Sequence, residues 1–179
     1  AAFYGPKIDI QMTNVLGKAD TAFTVQYDFV MTERFNLIYT DKDGRSKQAI
    51  VIHRSSIGAL ERVIAFLIEH YAGAFPVWLA PIQIKLISVS AKHIEHCQKL
   101  AQEFKKQNFR VEVDDSDETV GHKIRKALLE KIPYVLVIGD QEMQSDKLAI
   151  RDRGQQENRA IGQAEFMEEV RQKIQDKSL

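Results

Sequence analysis

The hydrophobic pattern of this chain changes its period at a segment with two prolines, AFPVWLAP (74–81). Before that segment, short runs alternate apolar with polar residues and are separated by turn residues. After it, apolar runs alternate with stretches in which apolar residues recur at helical spacing. Strands joined by tight turns indicate an antiparallel sheet, whereas strand–helix alternation indicates helices around a mostly parallel sheet. The sequence therefore predicts an α/β chain with two regions of different architecture.

Residues 1–74 form the first predicted region, in which turn signals at Gly17 and at Asp43-Gly44 separate the strands. The four predicted strands are 3–12, 23–29, 36–40 and 48–53. Residues 58–71 carry apolar side chains at i, i+3 and i+4 spacing, which predicts a helix with a wide apolar face. We expect Gly73 to be the C′ residue that ends this helix.

Residues 82–179 form the second predicted region, in which strands alternate with helices. Strands are predicted at 82–89, 109–113, 134–139 and 147–151, and helices at 91–108, 119–131 and 165–175. The segment YVLVIG (134–139) is nearly all apolar, which is typical of a central strand covered on both faces. Residues 75–81 combine two prolines with an aromatic cluster, so we expect a packed connector between the regions.

Composition narrows the possible surroundings and partners of the chain. Lys plus Arg and Asp plus Glu number 25 each, so nucleic-acid binding would need a local basic face. The single cysteine, Cys97, excludes an internal disulfide and favours a reducing, cytoplasmic setting, and its helical context predicts a packing thiol. No apolar run approaches the roughly 20 residues that cross a bilayer, so no membrane partner is expected. The chain starts inside a predicted strand without methionine, as expected for a piece of a longer chain.

Histidines are the first candidates for a metal or catalytic role. His53 ends a strand without a second ligand at a useful spacing, whereas a catalytic zinc needs three protein ligands. His93 and His96 form an H-x-E-H string that does not match the i, i+4 spacing of H-E-x-x-H. We therefore expect both of these histidines to lie on a solvated helix face.

Charged residues are the second group of candidates. Glu61-Arg62 lies on a helix with a wide apolar face, where a charge should be paired or bound to a ligand. Lys7 follows a Gly-Pro turn after Tyr4, from which it could either contact phosphate or stay exposed. A basic helix carries Lys123, Arg125, Lys126 and Lys131, and the acidic residues just before it compete with RNA for these charges. The charges alone leave a solvated face and an RNA-binding face as open alternatives.

Several strings together resemble the threonyl-tRNA synthetase family of class II aminoacyl-tRNA synthetases. They include AFYGPKIDI (2–10), GALERVIAFLIEHYAGAFPVWLAP (58–81), GHKIRKALLEKIPYVLVIGDQE (121–142) and LAIRDR (148–153). The G-x-x-E-R string resembles motif 3 of class II enzymes. The resemblance implies the end of a catalytic core at 1–74, a connector at 75–81 and an anticodon-binding domain at 82–179. That domain is expected to be an α/β/α sandwich with a mostly parallel, mixed five-stranded sheet.

The resemblance also implies an activity, cofactors and partners. The family attaches L-threonine to tRNA(Thr) through a threonyl-adenylate, using ATP with Mg²⁺ and one zinc ion. The full-length enzyme is expected to be a cytoplasmic homodimer, whereas a monomer is open for this chain because family dimerisation relies on upstream motif 1. Motif 2, two zinc ligands and the editing domain are not in these residues, so the chain alone is expected to be inactive and without zinc.

Individual roles follow from the resemblance position by position. Lys7 and Arg62 match catalytic positions, and Tyr4, Thr24, Gln26 and Arg62 match positions that bind threonine or ATP. His53 resembles one zinc ligand. Arg125, Lys131, Glu142 and Arg151 match positions that contact the anticodon stem-loop. Three positions depart from the family pattern: Thr21 replaces a glutamine that contacts nucleotide, Lys131 replaces a frequent arginine, and Asp117 replaces an uncharged amide.

Two other function classes remain open alternatives. The first is a noncatalytic tRNA-binding or accessory protein derived from a class II synthetase, although such a protein would not need the retained residues Tyr4, Lys7, Gln26, His53 and Arg62. The second is a small-ligand α/β domain, which would need a Gly-rich phosphate loop after a strand. Residues 139–142 are a poor substitute for such a loop.

Overall fold

A computed structural model describes residues 3–178 of the chain, which divide after Ala72 into two compact units. The predicted antiparallel and α/β/α architectures are both confirmed. The domain boundaries 1–74, 75–81 and 82–179 stay a prediction. None of the helices within residues 3–178 is long and apolar enough to cross a membrane.

The first unit is built on a three-stranded antiparallel sheet in the order β1-β2-β5, beside a two-stranded hairpin of β3 and β4. Its elements are β1 (Lys7–Thr13), β2 (Ala19–Asp28), α1 (Val30–Arg34), β3 (Ile38–Thr40), β4 (Ser46–Gln48), β5 (Val51–Ser55) and α2 (Leu60–His70). The buried residues among 3–72 are Ala22, Gln26, Asp28 and Thr32. Because three of these four are polar, the buried part of the unit is not an ordinary apolar core.

Three local predictions for this unit are wrong. The single strand expected at 48–53 is two strands, because the chain leaves one sheet after Gln48 and joins the other at Val51. Helix α1 was not expected, because five residues are too few to show helical periodicity. Helix α2 ends one residue earlier than expected: Tyr71 is the C-cap, and Ala72 takes the C′ position with φ +48°.

The second unit is a five-stranded mixed sheet in the order β10-β9-β8-β6-β7. Its elements are β6 (Ile84–Ser88), α3 (Ala91–Lys106), β7 (Val111–Asp114), α4 (Val120–Leu129), β8 (Tyr134–Ile138), α5 (Asp140–Gln144), β9 (Lys147–Asp152), β10 (Arg159–Gly162) and α6 (Gln163–Gln175). Strand β6 pairs in parallel with β7 and β8, whereas β9 is antiparallel to β8 and β10. Neither β10 nor α5 was expected, because each is five residues or shorter and lies among polar residues.

Two apolar clusters cover opposite faces of this sheet. The larger cluster joins alternate strand residues, such as Leu86 and Leu136, to α3 and α6 through Phe104 and Phe166. The smaller cluster joins the intervening residues Ile87 and Val135 to α4. Cys97 lies in the larger cluster, where burial raises the pKa of its thiol to about 11. The prediction of a packing thiol is therefore confirmed.

An ionic cluster holds α6 against the strands. Arg159 contacts Asp152 at 2.6 Å and Glu169 at 2.8 Å, and Tyr134 donates from its hydroxyl to Glu169 at 3.1 Å. Burial raises the pKa of Glu169, but the bonds from Arg159 and Lys173 outweigh burial, so the pKa lies below its usual range. A carboxyl with a lowered folded-state pKa stabilises the fold above its unfolded pKa and stops doing so as the pH falls through the folded value.

We predict that Glu169→Gln lowers the free energy of unfolding near neutral pH by about 1–3 kcal/mol, because it removes a charged hydrogen-bond acceptor. The difference from the parent chain should shrink as acid protonates Glu169 in the parent. Urea unfolding at a series of pH values measures both effects. Glu165→Gln, an exposed change in the same helix, is the control, and an equal effect of the two variants would contradict the prediction.

Candidate functional site

Strand β2 places several predicted site residues on one face of the first unit's sheet. Gln26 lies directly opposite Lys7 on β1 and opposite His53 on β5. Directly opposite residues project from the same face, so these three side chains form one row across the sheet. Thr24 forms the next row, between Asp9 and Ser55. Residues 24 and 26 share this face because side chains along a strand alternate with a period of two.

A cleft of about 390 Å³ opens over part of this face and is lined by Tyr4, Gln26, Asp28, Arg34 and His53, among others. Its volume lies in the usual range for small-molecule sites, about 300–1,000 Å³. The side-chain amide nitrogen of Gln26 is buried in the protein without a hydrogen-bond partner. A buried donor without a partner is costly, so this nitrogen is suited to bind an acceptor atom of a ligand.

Asp28 and His53 form a pair at the cleft. The His53 Nε2 atom lies 2.8 Å from Asp28 Oδ2, and the Met31 backbone N–H donates to Asp28 Oδ1 at 2.9 Å. The Met31 N–H is the main cause that holds the pKa of Asp28 below its usual range, with burial opposing and His53 adding to the effect. No sequence pattern pointed to Asp28, because its role depends on the pairing of β2 with β5.

These residues by themselves do not fit a zinc ion. No group of three His, Cys, Asp or Glu side chains within residues 3–178 is arranged to hold a metal. His53 and Asp28 are only two potential metal ligands, and they already bond to each other, whereas a catalytic zinc site has three protein ligands. We therefore derive no chemical step through zinc from these residues.

Neither Lys7 nor Arg62 lines the cleft that contains His53. The Lys7 ammonium forms an ion pair with Asp9 at 2.9 Å. Arg62, in the first turn of α2, donates from Nη1 to the Thr21 carbonyl at 3.1 Å. It lines a separate cavity of about 120 Å³ with Thr21 and Asp20. We expected a charge on this helix to be paired or bound to a ligand. The Arg62 guanidinium is paired with a backbone carbonyl.

The predicted RNA-binding residues lie on three elements of the second unit. Arg125 is exposed on α4, and Lys131 follows that helix with φ +56°. Arg151 is on β9, paired with Val135, and donates from Nε to the Asn158 side chain at 3.1 Å. Glu142 lies in the first turn of α5 and accepts the Gly139 backbone N–H through Oε2 at 2.9 Å. Because Arg151 pairs with Val135, its side chain projects from the face of the sheet that packs against α4. Helices α3 and α6 pack against the opposite face.

Two residues of this unit are buried, although a solvated helix face was considered for each of them. His93 is only 2% exposed, because it closes a capping box with Ser90 and lies next to Asp140. Lys123 is also 2% exposed, and its ammonium donates to the Ser88 carbonyl at 3.1 Å. The expectation of a solvated His93 is therefore wrong. Its one available signal was the N-cap serine three residues earlier, which can pair with a side chain at that spacing.

Comparison with known proteins identifies the domains of the chain. Residues 77–173 match the model of the anticodon binding domain, and residues 1–71 match that of the tRNA synthetase class II core domain (G, H, P, S and T). The chain therefore belongs to the anticodon-binding domain family and carries a class II synthetase core segment before that domain.

The chain is similar to proteins named threonine–tRNA ligase, which confirms the resemblance to the threonyl-tRNA synthetase family. The chain is 47% identical over 178 residues to a threonine–tRNA ligase of Geobacillus kaustophilus, covering 99% of this chain and 27% of that protein. It is 46% identical over 170 residues to a threonine–tRNA ligase of Clostridium perfringens, covering 95% of this chain and 26% of that protein. The chain thus spans about a quarter of the length of these relatives.

A solved structure supports the same assignment. The crystal structure of the RNA binding domain of threonyl-tRNA synthetase from Cryptosporidium parvum Iowa II matches with a TM-score of 0.80 and 34% identity. The match covers 96% of this chain and 44% of that chain.

We predict that Gly58→Ala destabilises the packing of α2 against β2. Gly58 has φ +73°, and a Cβ there would lie 2.3 Å from the Ala22 carbonyl oxygen, so the start of α2 must move. Overpacking of this kind costs about 1–3 kcal/mol. Amide hydrogen exchange in β2 and α2 measures the loss of protection.

Gly17→Ala is the matched control, because Gly17 has a similar φ of +75° but no atom within 4 Å of the position that a Cβ would take. The two substitutions share the backbone strain and differ in the clash. Equal exchange rates in the two variants would contradict a specific role for the Gly58–Ala22 approach.

Proposed function

We propose that this chain supplies part of the active site and the anticodon-reading domain of a threonine–tRNA ligase. The observation that carries the proposal is the row of Lys7, Gln26 and His53 across one face of the class II core segment. Such a ligase uses ATP with Mg²⁺ to form threonyl-adenylate and then transfers threonine to the terminal ribose of tRNA(Thr).

The core residues divide into an amino-acid side and a nucleotide side. Gln26 and Tyr4 line the cleft, where the unpaired Gln26 amide can donate to an acceptor of threonine. Arg62 lines the other cavity, and its planar guanidinium can stack on the adenine of ATP once it leaves the Thr21 carbonyl. Thr24 adds an ATP-side contact. Lys7 favours the negative charge that develops when the threonine carboxylate attacks the α-phosphate.

The role of His53 as a zinc ligand is a proposal that rests on the family resemblance. A ligating imidazole usually donates its second ring N–H to a carboxylate or carbonyl, which orients the ring. Asp28 is the carboxylate next to His53. Within residues 3–178 the remaining ligands of such a site are not found.

The first unit lacks the burial that a self-sufficient active site requires. On the apolar face of its sheet, Ile8 is 65% exposed and Ile52 is 53% exposed, and Leu60 on α2 is 61% exposed. Exposed apolar faces of this kind mark surfaces that are covered in a larger assembly. We therefore propose that residues 1–74 function only with the rest of a longer synthetase, as a homodimer in the cytoplasm, and that the chain alone is an inactive monomer.

We predict that the purified chain does not catalyse threonine-dependent ATP–pyrophosphate exchange, because the catalytic cleft is incomplete. The same assay on the full-length Geobacillus kaustophilus relative, at equal protein concentration, is the positive control. Exchange by this chain above the no-threonine background, lost on Arg62→Ala, would overturn the proposal of an inactive fragment.

We propose that the second unit reads the threonine anticodon through Arg151 and Glu142. Arginine can donate to base acceptors, and a carboxylate can accept from the N–H groups of guanine. Arg125 and Lys131 would contact the backbone of the stem-loop, which positions the RNA without reading its sequence. Bases splayed from a loop are the usual targets of sequence-specific RNA recognition.

The three departures from the family pattern weaken particular contacts within this proposal. Thr21 lacks the side-chain amide of the glutamine that it replaces, so the contact of that glutamine to nucleotide is lost, and only the Thr21 backbone carbonyl is bonded, to Arg62. Lys131 can bind phosphate as a point charge but cannot form the bidentate contact of arginine. Asp117 adds an exposed negative charge before α4, which repels RNA phosphates.

We predict that the chain binds a hairpin with the threonine anticodon and that two kinds of variant separate base reading from backbone contact. Arg151→Ala should lower the affinity for the cognate hairpin but little for a hairpin with altered anticodon bases, a loss of about 1–3 kcal/mol of discrimination. Arg125→Ala should weaken both complexes equally and reduce the salt dependence by about one counterion. Fluorescence anisotropy at several salt concentrations measures these effects.

Lys105→Ala removes an exposed positive charge from α3, which packs on the opposite face of the sheet from α4. This control should leave both affinities nearly unchanged. Equal binding of cognate and altered hairpins by the parent chain would count against anticodon reading.

A noncatalytic tRNA-binding or accessory protein is the second candidate function. The observation that favours it is that the second unit has two apolar clusters of its own, whereas the first unit buries four residues among 3–72. Retained Tyr4, Gln26 and His53 in one cleft favour the ligase. The upstream sequence of the gene distinguishes the two, since a ligase needs a motif 2 arginine and two more zinc ligands there.

A further inference from the structure

Buried His93 connects two helix N-termini of the second unit. Its Nδ1 atom accepts the Ser90 backbone N–H at 3.1 Å, and the Ser90 hydroxyl lies 3.0 Å from the same atom. A ring nitrogen that accepts carries no proton, so in the neutral ring the proton is on Nε2. The Nε2–H therefore donates to Asp140 Oδ1, 3.1 Å away.

Asp140 is the first residue of α5, a helix of only five residues. A helix this short is not held in place by its own backbone hydrogen bonds, so its contacts with β8, β9 and α3, including those at its first residue, decide where it lies. Asp140 receives one such contact from buried His93 and a second from the exposed Lys92 ammonium at 2.8 Å. The buried partner has one rotamer fixed by packing and by the Ser90 cap, whereas a lysine follows its target flexibly.

Glu142 lies two residues further along the same helical turn. Its Oε2 atom accepts the backbone N–H of Gly139, the residue just before Asp140. A Cβ at Gly139 would lie 3.2 Å from Oε2 and 3.4 Å from a Val89 methyl group, so the carboxylate packs closely on this backbone. The other oxygen, Oε1, has no hydrogen bond from any other residue between 3 and 178 and is left for a donor outside the protein.

We propose that His93 is a positioning residue for base recognition by Glu142: it fixes Asp140, and through Asp140 the first turn of α5 that aims the Glu142 carboxylate. This inference rests on the proposed reading of the anticodon by Glu142. Hydrogen-bonding groups that recognise a ligand must stay within about 0.5 Å of the productive position. Loss of the His93–Asp140 bond frees α5 by more than that tolerance and so lowers discrimination between bases.

The test compares two RNA hairpins, one with the threonine anticodon and one in which the anticodon guanine is replaced by adenine. Adenine lacks the donors on N1 and N2 that a carboxylate accepts from guanine. The readout is the dissociation constant for the altered hairpin divided by that for the cognate hairpin, measured with the full 179-residue chain. A lower ratio means weaker discrimination between the two bases. A purely structural role of His93 would change both constants together and leave the ratio unchanged.

Four variants of the chain separate the steps of the proposal. Glu142→Ala should lower the ratio by roughly 5- to 100-fold, because it removes the base contact itself. His93→Gln keeps an acceptor for the Ser90 N–H, as in an ordinary capping box, but cannot also reach Asp140. It should lower the ratio by about 3- to 30-fold. Asp140→Asn keeps an acceptor for Nε2–H and should preserve the ratio, whereas Lys92→Met should change both constants alike.

Asp140→Ala keeps the test decisive if His93→Gln does not fold. The Asp140 side chain is 64% exposed, so its truncation leaves the core intact, and it should lower the ratio as much as His93→Gln. If Glu142→Ala lowers the ratio but His93→Gln and Asp140→Ala do not, the positioning role alone is overturned. If Glu142→Ala leaves the ratio unchanged, the proposed reading by Glu142 fails, and the role of His93 fails with it.

Discussion

The candidate active-site face depends on the pairing register of β2 with both of its neighbours. Gln26 faces Lys7 on one side and His53 on the other, and Thr24 occupies the next row. A slip of one residue on either side would turn the neighbour's side chain to the opposite face. The Asp28–His53 bond joins β2 to β5 on this face, and the close approach of Gly58 to Ala22 holds the start of α2 beside β2. The same contacts thus set the register and place Arg62 near the start of β2.

In the second unit, a buried charge fixes the position of α4 on the sheet, which apolar packing alone would not determine. Lys85, on the interior strand β6, is 1% exposed and bonds Glu130 at 2.6 Å and Glu112 at 2.9 Å. Burial lowers the pKa of Lys85, but the two carboxylates outweigh burial and raise it, so the ammonium stays charged. Because Glu130 follows α4 and Glu112 is on β7, this lysine fixes the end of α4 over the sheet. Arg125 and Lys131 depend on that placement, since both lie on or just after α4.

The sequence predicted the fold where one pattern extends over many residues. Helices α2, α3 and α6 and strands β6 and β8 follow from apolar spacing alone. Short elements did not follow, because α1, α5 and β10 hold five residues or fewer, which is too few for a period of apolar residues to show. The burial of His93 and Lys123 was missed for a related reason: polar residues are mostly exposed, and a buried polar residue is recognised only through its partners.

The candidate sites show the same division between local pattern and distant pairing. The family strings led to Gln26, His53 and Tyr4, which do share one cleft, but they did not predict that Arg62 lines a different cavity. That separation is consistent with the proposed chemistry, because an adenylate extends from an amino acid on one side to an adenine on the other. A single compact pocket would have to hold both ends, whereas two cavities beside one strand can each bind one end of the adenylate. Residues of β2 line both cavities, so β2 is the element on which the distance between the two bound groups depends.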